Sequence, residues 1–326
     1  MKLGVIIMEI KRLIVHGGVF HADDVMCACL AKELNPDVII ERRNQITDEM
    51  INDSGTIIAD VGGGKYDHHQ VDCERHLDGS KYCASTLLFR DIESDLFPNG
   101  TPDEFLKNLR AIELHDNGVF VPDDEKSMVT RICFVAGPTW DSRRTFDECF
   151  GRTVDVVQQN FVHPMVSKGH LSRMEKHRLM DYYATMGQIY SLAEESAKTM
   201  VTRCWKESDG KVVPLDSSAP WQKVLVPTDA EFVVYPSPRG GYNLQAIPPV
   251  VYSMERKVSL PRAWLDEKPE GCTFVHTERF LACFETKEQA IQAGREVVAQ
   301  NMRSKRALPY ISEDVEKQDE LSVNNG

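Results

Sequence analysis

Residues 56–69 have the sequence TIIADVGGGKYDHH, an apolar run followed by a group of acidic and imidazole side chains. The run from Thr56 to Ala59 carries no charge, which is typical of a strand buried on both faces of a parallel sheet. After it come Asp60, a turn of three glycines, and then Asp67, His68 and His69. Ligands of open α/β sheets bind outside the carboxyl ends of the strands. This stretch therefore predicts a parallel strand with a ligand site at its end.

Two further apolar runs, Leu13 to Val15 and Val38 to Ile40, precede this strand. Between them, Val25 to Leu34 has helical spacing, and acidic residues occupy the first turn, where the helix dipole favours negative charge. Strands that alternate with helices, each strand an unbroken apolar run, are typical of α/β proteins. We predict an α/β fold with a parallel-sheet, doubly wound N-terminal domain and a smaller α+β C-terminal domain.

The length of 326 residues is more than one typical domain and less than three. Helical spacing dominates from Thr153 to about Thr202, and short β runs with turns follow. The predicted organisation in chain order is a first domain over 1–150, a helical connection over 151–205, a C-terminal domain over 206–310 and a disordered tail over 311–326.

Charge and composition exclude several classes of protein. The formal net charge is −12, and residues 1–150 carry 27 acidic but only 16 basic side chains. This half disfavours long duplexes, because nucleic-acid affinity depends mainly on Lys and Arg. On charge alone, a solvated acidic surface is the better explanation. No apolar run approaches the roughly 20 residues that span a bilayer, so we expect no membrane partner. Nine cysteines without an export signal favour reduced thiols and a cytoplasmic location.

Residue types that bind divalent metals follow the predicted strands. HGGVFHADD comes after the first strand, and LHDNG comes at the end of a predicted helix. The candidate set in chain order is His16, His21, Asp23, Asp60, Asp67, His68, His69 and Asp116. His and Asp without Cys suit Mn²⁺, Mg²⁺, Fe²⁺ or Zn²⁺, and the large share of carboxylates favours Mn²⁺. One such histidine alone is more often a core or surface residue, but the grouping favours a metal site.

In their order along the chain, these motifs resemble the Asp-His-His (DHH) phosphoesterase superfamily, and most closely its MYG family (melanocyte proliferating gene family). The likeness continues through PWQKVLV, GGYNLQAIP, ERKVSLPRAW and GCTFVHTERF, and so covers roughly residues 12–300. The Asp-His-His triplet alone is a weak signal. Together with the N-terminal His/Asp motif and the C-terminal segments, it is specific.

The resemblance implies a DHH-type catalytic domain over 1–150, two divalent metal ions and a substrate-binding domain over 206–310. By position, one metal would be held by His16, His21 and Asp60, and the other by Asp23, Asp60, His68 and Asp116, with Asp60 bridging. Two cations roughly 3.5–4 Å apart can activate water and stabilise charge on phosphate oxygens. Asp67 would orient a ligating imidazole, and His69 would contact a phosphate oxygen or the leaving group.

The second domain should bring positive charge to a phosphate. The candidates are Arg239 beside a glycine pair, Arg256, Lys257, Arg262 and His276. Glycine turns let backbone N–H groups approach an anion. For Arg256 and Lys257, an exposed strand edge is an equally good explanation.

By resemblance, we expect a metal-dependent phosphodiester hydrolase, a 3′–5′ exonuclease acting on RNA or short oligonucleotides. The acidic charge favours short or single-stranded substrates over long duplexes. One alternative is a phosphatase or pyrophosphatase acting on a small phosphorylated metabolite. Another is a metal-binding regulatory protein without catalysis. A homodimer is left open.

Overall fold

The computed structural model describes residues 10–70, 72–237, 240–251, 253 and 255–307. The chain divides into two compact units between Ala193 and Glu194. Among the described residues, none of the helices combines the length and the apolar composition that crossing a membrane requires. The predicted tail over 311–326 lies outside the described residues.

A three-stranded parallel sheet lies in the first unit, in the order β2-β1-β3. Its strands are β1 (Arg12–Val15), β2 (Ile39–Arg42) and β3 (Thr56–Ile58). Leu13, Ile14 and Val15 of the central strand are completely buried. The three strands and the parallel sheet predicted from the apolar runs are confirmed.

The helices that follow in the chain are α1 (Ala22–Leu34), α2 (Asp48–Asn52), α3 (Ala84–Leu96), α4 (Asp103–Asp116), α5 (Met128–Ala136), α6 (Phe146–Val157), a π-helical turn (Gln158–Val162), α7 (His163–Lys168) and α8 (Arg173–Glu207), which continues into the second unit. Every residue of α1 from Ala22 to Ala31 is buried, because α3, α4, α5 and α6 all pack against it. A helix that is covered on all sides needs no polar face. It therefore holds the acids of its first turn in a fixed place.

Residues from the predicted connection contribute to the core of the first unit. Val154, Val157, Phe161 and Met165 are buried in the same cluster as the residues of β1 and α1. The ring of Phe161 stacks on Phe105, with centroids 5.8 Å apart. The compact unit thus extends beyond residue 150, and its end lies inside α8. The division into a catalytic domain, a connection and a substrate-binding domain stays a prediction.

The second unit contains a five-stranded mixed sheet in the order β4-β5-β6-β8-β7. Its elements are β4 (Val212–Pro214), α9 (Gln222–Leu225), β5 (Phe232–Pro236), β6 (Tyr242–Ala246), a 3₁₀ turn (Arg262–Leu265), β7 (Cys272–Val275), β8 (Leu281–Phe284) and α10 (Lys287–Ala307). The β4–β5 pair is parallel and the other pairs are antiparallel. α10 packs on β4, β5, β6 and β8. At Gly294, a Cβ would lie 3.0 Å from Leu244 Cδ1, so a glycine permits this close approach.

Candidate metal centre

Four chain segments bring acidic and imidazole side chains together near the carboxyl ends of β1 and β3. His16 follows β1 directly, and Asp60 is the second residue after β3. His21 is the N-cap of α1, and Asp116 is the last residue of α4. Their donor atoms form three overlapping groups, each within 4.8 Å: His16, His21, Asp24 and Asp60; Asp60, His68 and His69; and Asp23, His68 and Asp116. Seven of the eight predicted residues lie in these groups. The eighth, Asp67, contacts His69.

In the first group, His16 presents its Nε2 atom to two carboxylates. Nε2 lies 2.9 Å from Asp24 Oδ2 and 3.4 Å from Asp60 Oδ2. The other ring nitrogen, Nδ1, lies 3.1 Å from the Gly17 carbonyl oxygen, which can only accept a hydrogen bond. The neutral ring is therefore protonated on Nδ1, and Nε2 keeps its lone pair. Metal-ligating histidines usually have this arrangement.

His68 has a similar arrangement. Its Nε2 lies 3.1 Å from Asp60 Oδ1 and 3.0 Å from Asp116 Oδ2, while Nδ1 lies 3.3 Å from Asn117 Oδ1. The amide nitrogen of Asn117 donates to the carbonyls of Lys81 and Glu113, at 3.1 and 2.9 Å. The Asn117 oxygen is thereby turned towards the ring as an acceptor. Nε2 of His68 is thus directed at the acidic residues.

Asp60 lies between two histidines, and each of its oxygens faces a different one: Oδ2 faces His16 and Oδ1 faces His68. Its backbone has φ 60°, in the left-handed region that Asp tolerates better than most residues. The Asp60 N–H donates to the Tyr66 carbonyl at 2.8 Å, which ties this turn to the segment before the Asp-His-His triplet. Residues held in this conformation concentrate at functional sites.

Asp23 and Asp24 are adjacent in α1 but face different neighbours. Both oxygens of Asp23 accept backbone N–H groups from the first turn of α3, from Ala84 at 2.9 Å and Ser85 at 2.8 Å. Asp24 faces His16, and its Oδ2 also accepts the His21 N–H at 2.9 Å. Asp24 Oδ1 is buried without a hydrogen-bond partner. A buried carboxylate oxygen without a partner is costly unless a ligand satisfies it.

Asp67 and His69 form a pair at the surface of this cluster. Asp67 Oδ1 accepts both the backbone N–H and the Nδ1–H of His69, at 3.0 and 2.9 Å, and Oδ2 accepts the Gly63 N–H at 2.7 Å. Burial opposes ionisation of Asp67, but these donors outweigh it and hold the pKa of the carboxyl below its usual value. The imidazole that Asp67 orients is that of His69, whose side chain is 64% exposed.

The cluster strongly perturbs its own protonation. A hydrogen bond to Asp24 raises the pKa of His16 to about 9, against the effect of burial. Burial also opposes a charge on His68, but hydrogen bonds to Asp116 and Asp60 raise its pKa to about 11. Burial, followed by the charges of Asp116 and Asp60, raises the pKa of Asp23 to about 7. Protons on the histidines thus offset the crowded carboxylates, and divalent cations would compete with those protons.

The donor set fits divalent metal ions. It contains imidazole nitrogens and carboxylate oxygens without a thiolate, which suits Mn²⁺, Mg²⁺, Fe²⁺ or Zn²⁺. Two observations support this independently of residue type: the unpartnered oxygen of Asp24, and histidine rings whose Nε2 atoms face the carboxylates. Asp116 also lies at a helix C-terminus, where a negative charge is unfavourable without a nearby cation.

The candidate phosphate contacts of the second unit have different surroundings. Arg239 lies outside the described residues, and Arg262 is exposed on the 3₁₀ turn. The guanidinium of Arg256 lies 5.0 Å from the Phe280 ring centre, and the His276 ring lies 4.3 Å from the same ring. Lys257 Nζ donates to three backbone carbonyls at the end of α9 and after it, those of Leu225, Thr228 and Ala230, at 3.4, 2.7 and 3.1 Å. These carbonyls engage the donors of the Lys257 ammonium.

Residues 12–298 match the model of an uncharacterised protein family (UPF0160, MYG1_exonuc). The chain belongs to this MYG1 family. The MYG1 exonuclease of Homo sapiens is 24% identical over 358 residues, which cover 94% of this chain and 89% of that protein. The Mus musculus MYG1 exonuclease is 24% identical over 346 residues, covering 90% and 86%. The Dictyostelium discoideum MYG1 protein is 22% identical over 322 residues, covering 87% and 95%.

Among solved structures, a pGpG-specific phosphodiesterase, PggH from Vibrio cholerae, aligns with a TM-score of 0.42 and 11% identity over 90% of this chain and 99% of that one. The family model and the relatives confirm the MYG family predicted from the motifs. The placement in the wider DHH superfamily stays a prediction.

Three residues that shape the candidate metal centre were not predicted from the sequence. Asp24 was assigned only to the helix dipole, although it is one of two adjacent acids in the HADD motif. Asn117 is in the LHDNG motif but was not considered as a partner of His68. Arg42, at the end of β2, donates to the Gly18 carbonyl at 2.7 Å, in the loop between His16 and His21. No local sequence signal distinguishes this arginine from a surface residue.

Proposed function

We propose that this MYG1 family member is a metal-dependent phosphodiester hydrolase of the DHH superfamily, acting as a 3′–5′ exonuclease on RNA or short oligonucleotides. The observation that carries the proposal is the position of Asp60, whose two oxygens face His16 and His68 separately. A carboxylate between two sets of ligands is suited to bridge two cations. The exonuclease names of the mammalian relatives support the reaction class.

One cation would be held by His16, His21, Asp24 and Asp60, and the other by Asp60, His68, Asp116 and Asp23. Compared with the assignment from sequence, this adds Asp24 to the first set. A pair of bound divalent cations supplies Lewis-acid stabilisation of phosphate oxygens and makes water acidic enough to act near neutral pH. The large share of carboxylate oxygens in both sets favours Mn²⁺.

The side chains contribute orientation and proton transfer. Asp60 fixes the relative position of the two sets, and the hydrogen bonds of Gly17 and Asn117 fix the rings of His16 and His68. Asp67 holds His69 by its Nδ1 atom, which leaves Nε2 of an exposed ring to reach substrate. In its protonated form, His69 would donate from Nε2 to a phosphate oxygen or to the departing hydroxyl. Such a general acid typically contributes about 10²–10⁴-fold to the rate.

The proposal is tested with the purified chain, Mn²⁺ and oligoribonucleotides labelled at either end. We expect metal-stimulated release of mononucleotides from the 3′ end and loss of that activity in Asp60→Ala. Pyrophosphate and a nucleoside bisphosphate, tested under the same conditions, should be hydrolysed more slowly. Preferential hydrolysis of either small molecule would instead favour the phosphatase or pyrophosphatase function. The absence of metal-stimulated product from both RNA and DNA would overturn the proposal.

Elemental analysis of the folded protein tests the site without any substrate. We expect about two divalent ions per chain after equilibration with Mn²⁺ and dialysis, as a two-metal site requires. Asp60→Ala should lose both. A chain that retains no metal and hydrolyses nothing would favour a regulatory protein.

A further inference from the structure

Two neighbouring cavities of about 280 and 270 Å³ in the second unit share Gln222 and Gln245. We call them together the glutamine groove, lined chiefly by Trp221, Gln222, Tyr235, Gln245, Arg256 and Phe280. Each of the four C-terminal segments singled out in the sequence contributes to it: PWQKVLV, GGYNLQAIP, ERKVSLPRAW and GCTFVHTERF. The metal centre in the first unit uses none of these segments.

A chain of hydrogen bonds fixes the orientation of the Gln245 amide. The Cys283 thiol donates to Asn243 Oδ1 at 3.1 Å, so the Asn243 NH₂ group is the part that can donate to the Tyr235 oxygen. Burial raises the pKa of the Tyr235 phenol, and this contact with Asn243 partly offsets that effect. The Tyr235 hydroxyl in turn donates to Gln245 Oε1. The amide oxygen of Gln245 is therefore occupied.

The NH₂ group of Gln245 has no partner within the described part of the chain, and Gln245 lines both cavities of the groove. An oriented amide donor in a groove selects ligands that present an acceptor to it. Gln222, at the start of α9, is exposed at the same place. The ammonium of Lys257 holds the backbone that follows α9, through the carbonyls of Leu225, Thr228 and Ala230. These hydrogen bonds at the end of α9 also help to hold Gln222, at its start, in position.

Arg256 supplies a positive charge with a restricted orientation. Its Nη1 donates to the carbonyls of Ser253 and Glu255, at 3.2 and 2.7 Å, and its guanidinium lies over the Phe280 ring. A guanidinium carries a permanent positive charge that attracts phosphate, and prior ordering lowers the entropic cost of binding. The groove therefore combines an anion site, an aromatic surface and amide donors, which together match a nucleotide.

We infer that the glutamine groove binds the terminal nucleotide of a single-stranded oligonucleotide, with Arg256 contacting the phosphate and Gln245 donating to a carbonyl oxygen of the base. The inference rests on the proposed function only for the class of substrate. Uracil, cytosine and guanine carry such an oxygen, whereas adenine carries none. Gln245 is thus assigned a role in base selectivity, separate from the metals.

The test is calorimetric titration of the full chain in a metal chelator, where no metal-dependent hydrolysis occurs. The probes are UMP, AMP and ribose 5-phosphate. UMP should bind at least about fivefold more tightly than AMP, since one oriented hydrogen bond distinguishes them. Gln245→Met should reduce the affinity for UMP to that for AMP, while Arg256→Gln should weaken the binding of all three probes. Gln292→Met, an exposed glutamine on α10, is the matched control and should leave all three affinities unchanged.

Tyr235→Phe keeps the ring but removes the hydroxyl that orients Gln245, so it should abolish the preference for UMP over AMP while ribose 5-phosphate binds as before. Equal binding of UMP by the wild-type chain and Gln245→Met would overturn the inference. Binding of UMP but not of the dinucleotide pUpU would overturn the assignment to an oligonucleotide end.

Because no metal is present, nucleotide binding without metal-stimulated hydrolysis would refute the proposed function alone. Hydrolysis without Gln245-dependent binding would refute this inference alone.

Discussion

Nε2 of His16 lies 2.9 Å from Oδ2 of Asp24, an acid that the family motif did not assign to either metal. The two acids are consecutive in α1, where successive side chains point about 100° apart. Asp24 therefore faces the loop that carries His16, and Asp23 faces α3. The two carboxylates have different structural roles, and substitutions can separate them.

Asp24→Asn should lower the affinity for Mn²⁺ by at least about tenfold, because it removes one charged ligand from a set that contains two histidines. Titration of the metal-free protein with Mn²⁺ measures this. Asp37→Asn, which alters an exposed acid after α1, is the control and should bind Mn²⁺ as the parent chain does. Unchanged affinity in Asp24→Asn would show that the buried oxygen of Asp24 is not a ligand.

Asp23→Ala should destabilise the protein even in a chelator. Its loss leaves two buried N–H groups at the start of α3 without acceptors. This should lower the free energy of unfolding by about 1–3 kcal/mol. Urea unfolding monitors the change. Asp116→Ala removes an acid of the same group from a helix C-terminus, where its charge is unfavourable, and should cost less. Equal losses in the two variants would contradict the anchoring role of Asp23.

Arg42 holds the loop between His16 and His21 in place. Its side chain is only 3% exposed, lies 5.6 Å from the Phe20 ring centre and 4.8 Å from that of Phe150, and donates to Gly18 and Asp147. Arg42→Lys removes the planar fork that makes both hydrogen bonds, and should weaken Mn²⁺ binding by about tenfold through the loop. Arg43→Lys, at the exposed neighbouring position, is the matched control. A drop in stability with normal metal affinity would argue against this positioning role.

The sequence predicted the framework of this site well, because the deciding signals are local. An uncharged run such as Thr56 to Ala59 must be buried, and in a parallel sheet its carboxyl end is where ligands bind. His16 and Asp60 each follow such a strand, so they were expected at the same edge of the sheet. The helix α1 followed from its apolar spacing and the acids of its first turn.

Features that depend on distant contacts could not be predicted. Arg42 is buried only because Phe20 and Phe150, far apart in the chain, enclose it. The hydrogen bonds of Lys257 to three carbonyls of residues 225–230 could not be read from its charge, and its contact with substrate stays a prediction. Helical spacing alone likewise does not reveal that Val154, after the predicted boundary near residue 150, packs in the first core.

Asp67→Asn tests whether the outer pair of the site takes part in the reaction. Asp67 accepts hydrogen bonds from His69 and Gly63 at once, and an asparagine has a single oxygen with which to do so. His69 would then lose its fixed orientation, while the metal-facing atoms of Asp60 and His68 keep their own contacts. We expect kcat to fall by about ten- to a hundredfold, with metal content and KM nearly unchanged, because the group acts on proton transfer. His69→Ala should lower kcat further, and the double variant should be no worse than His69→Ala alone, since Asp67 acts through that ring. Steady-state kinetics on a 3′-labelled oligoribonucleotide, together with elemental analysis of each variant, separates this result from metal loss. If Asp67→Asn reduces the activity of His69→Ala further, Asp67 has a function independent of the imidazole.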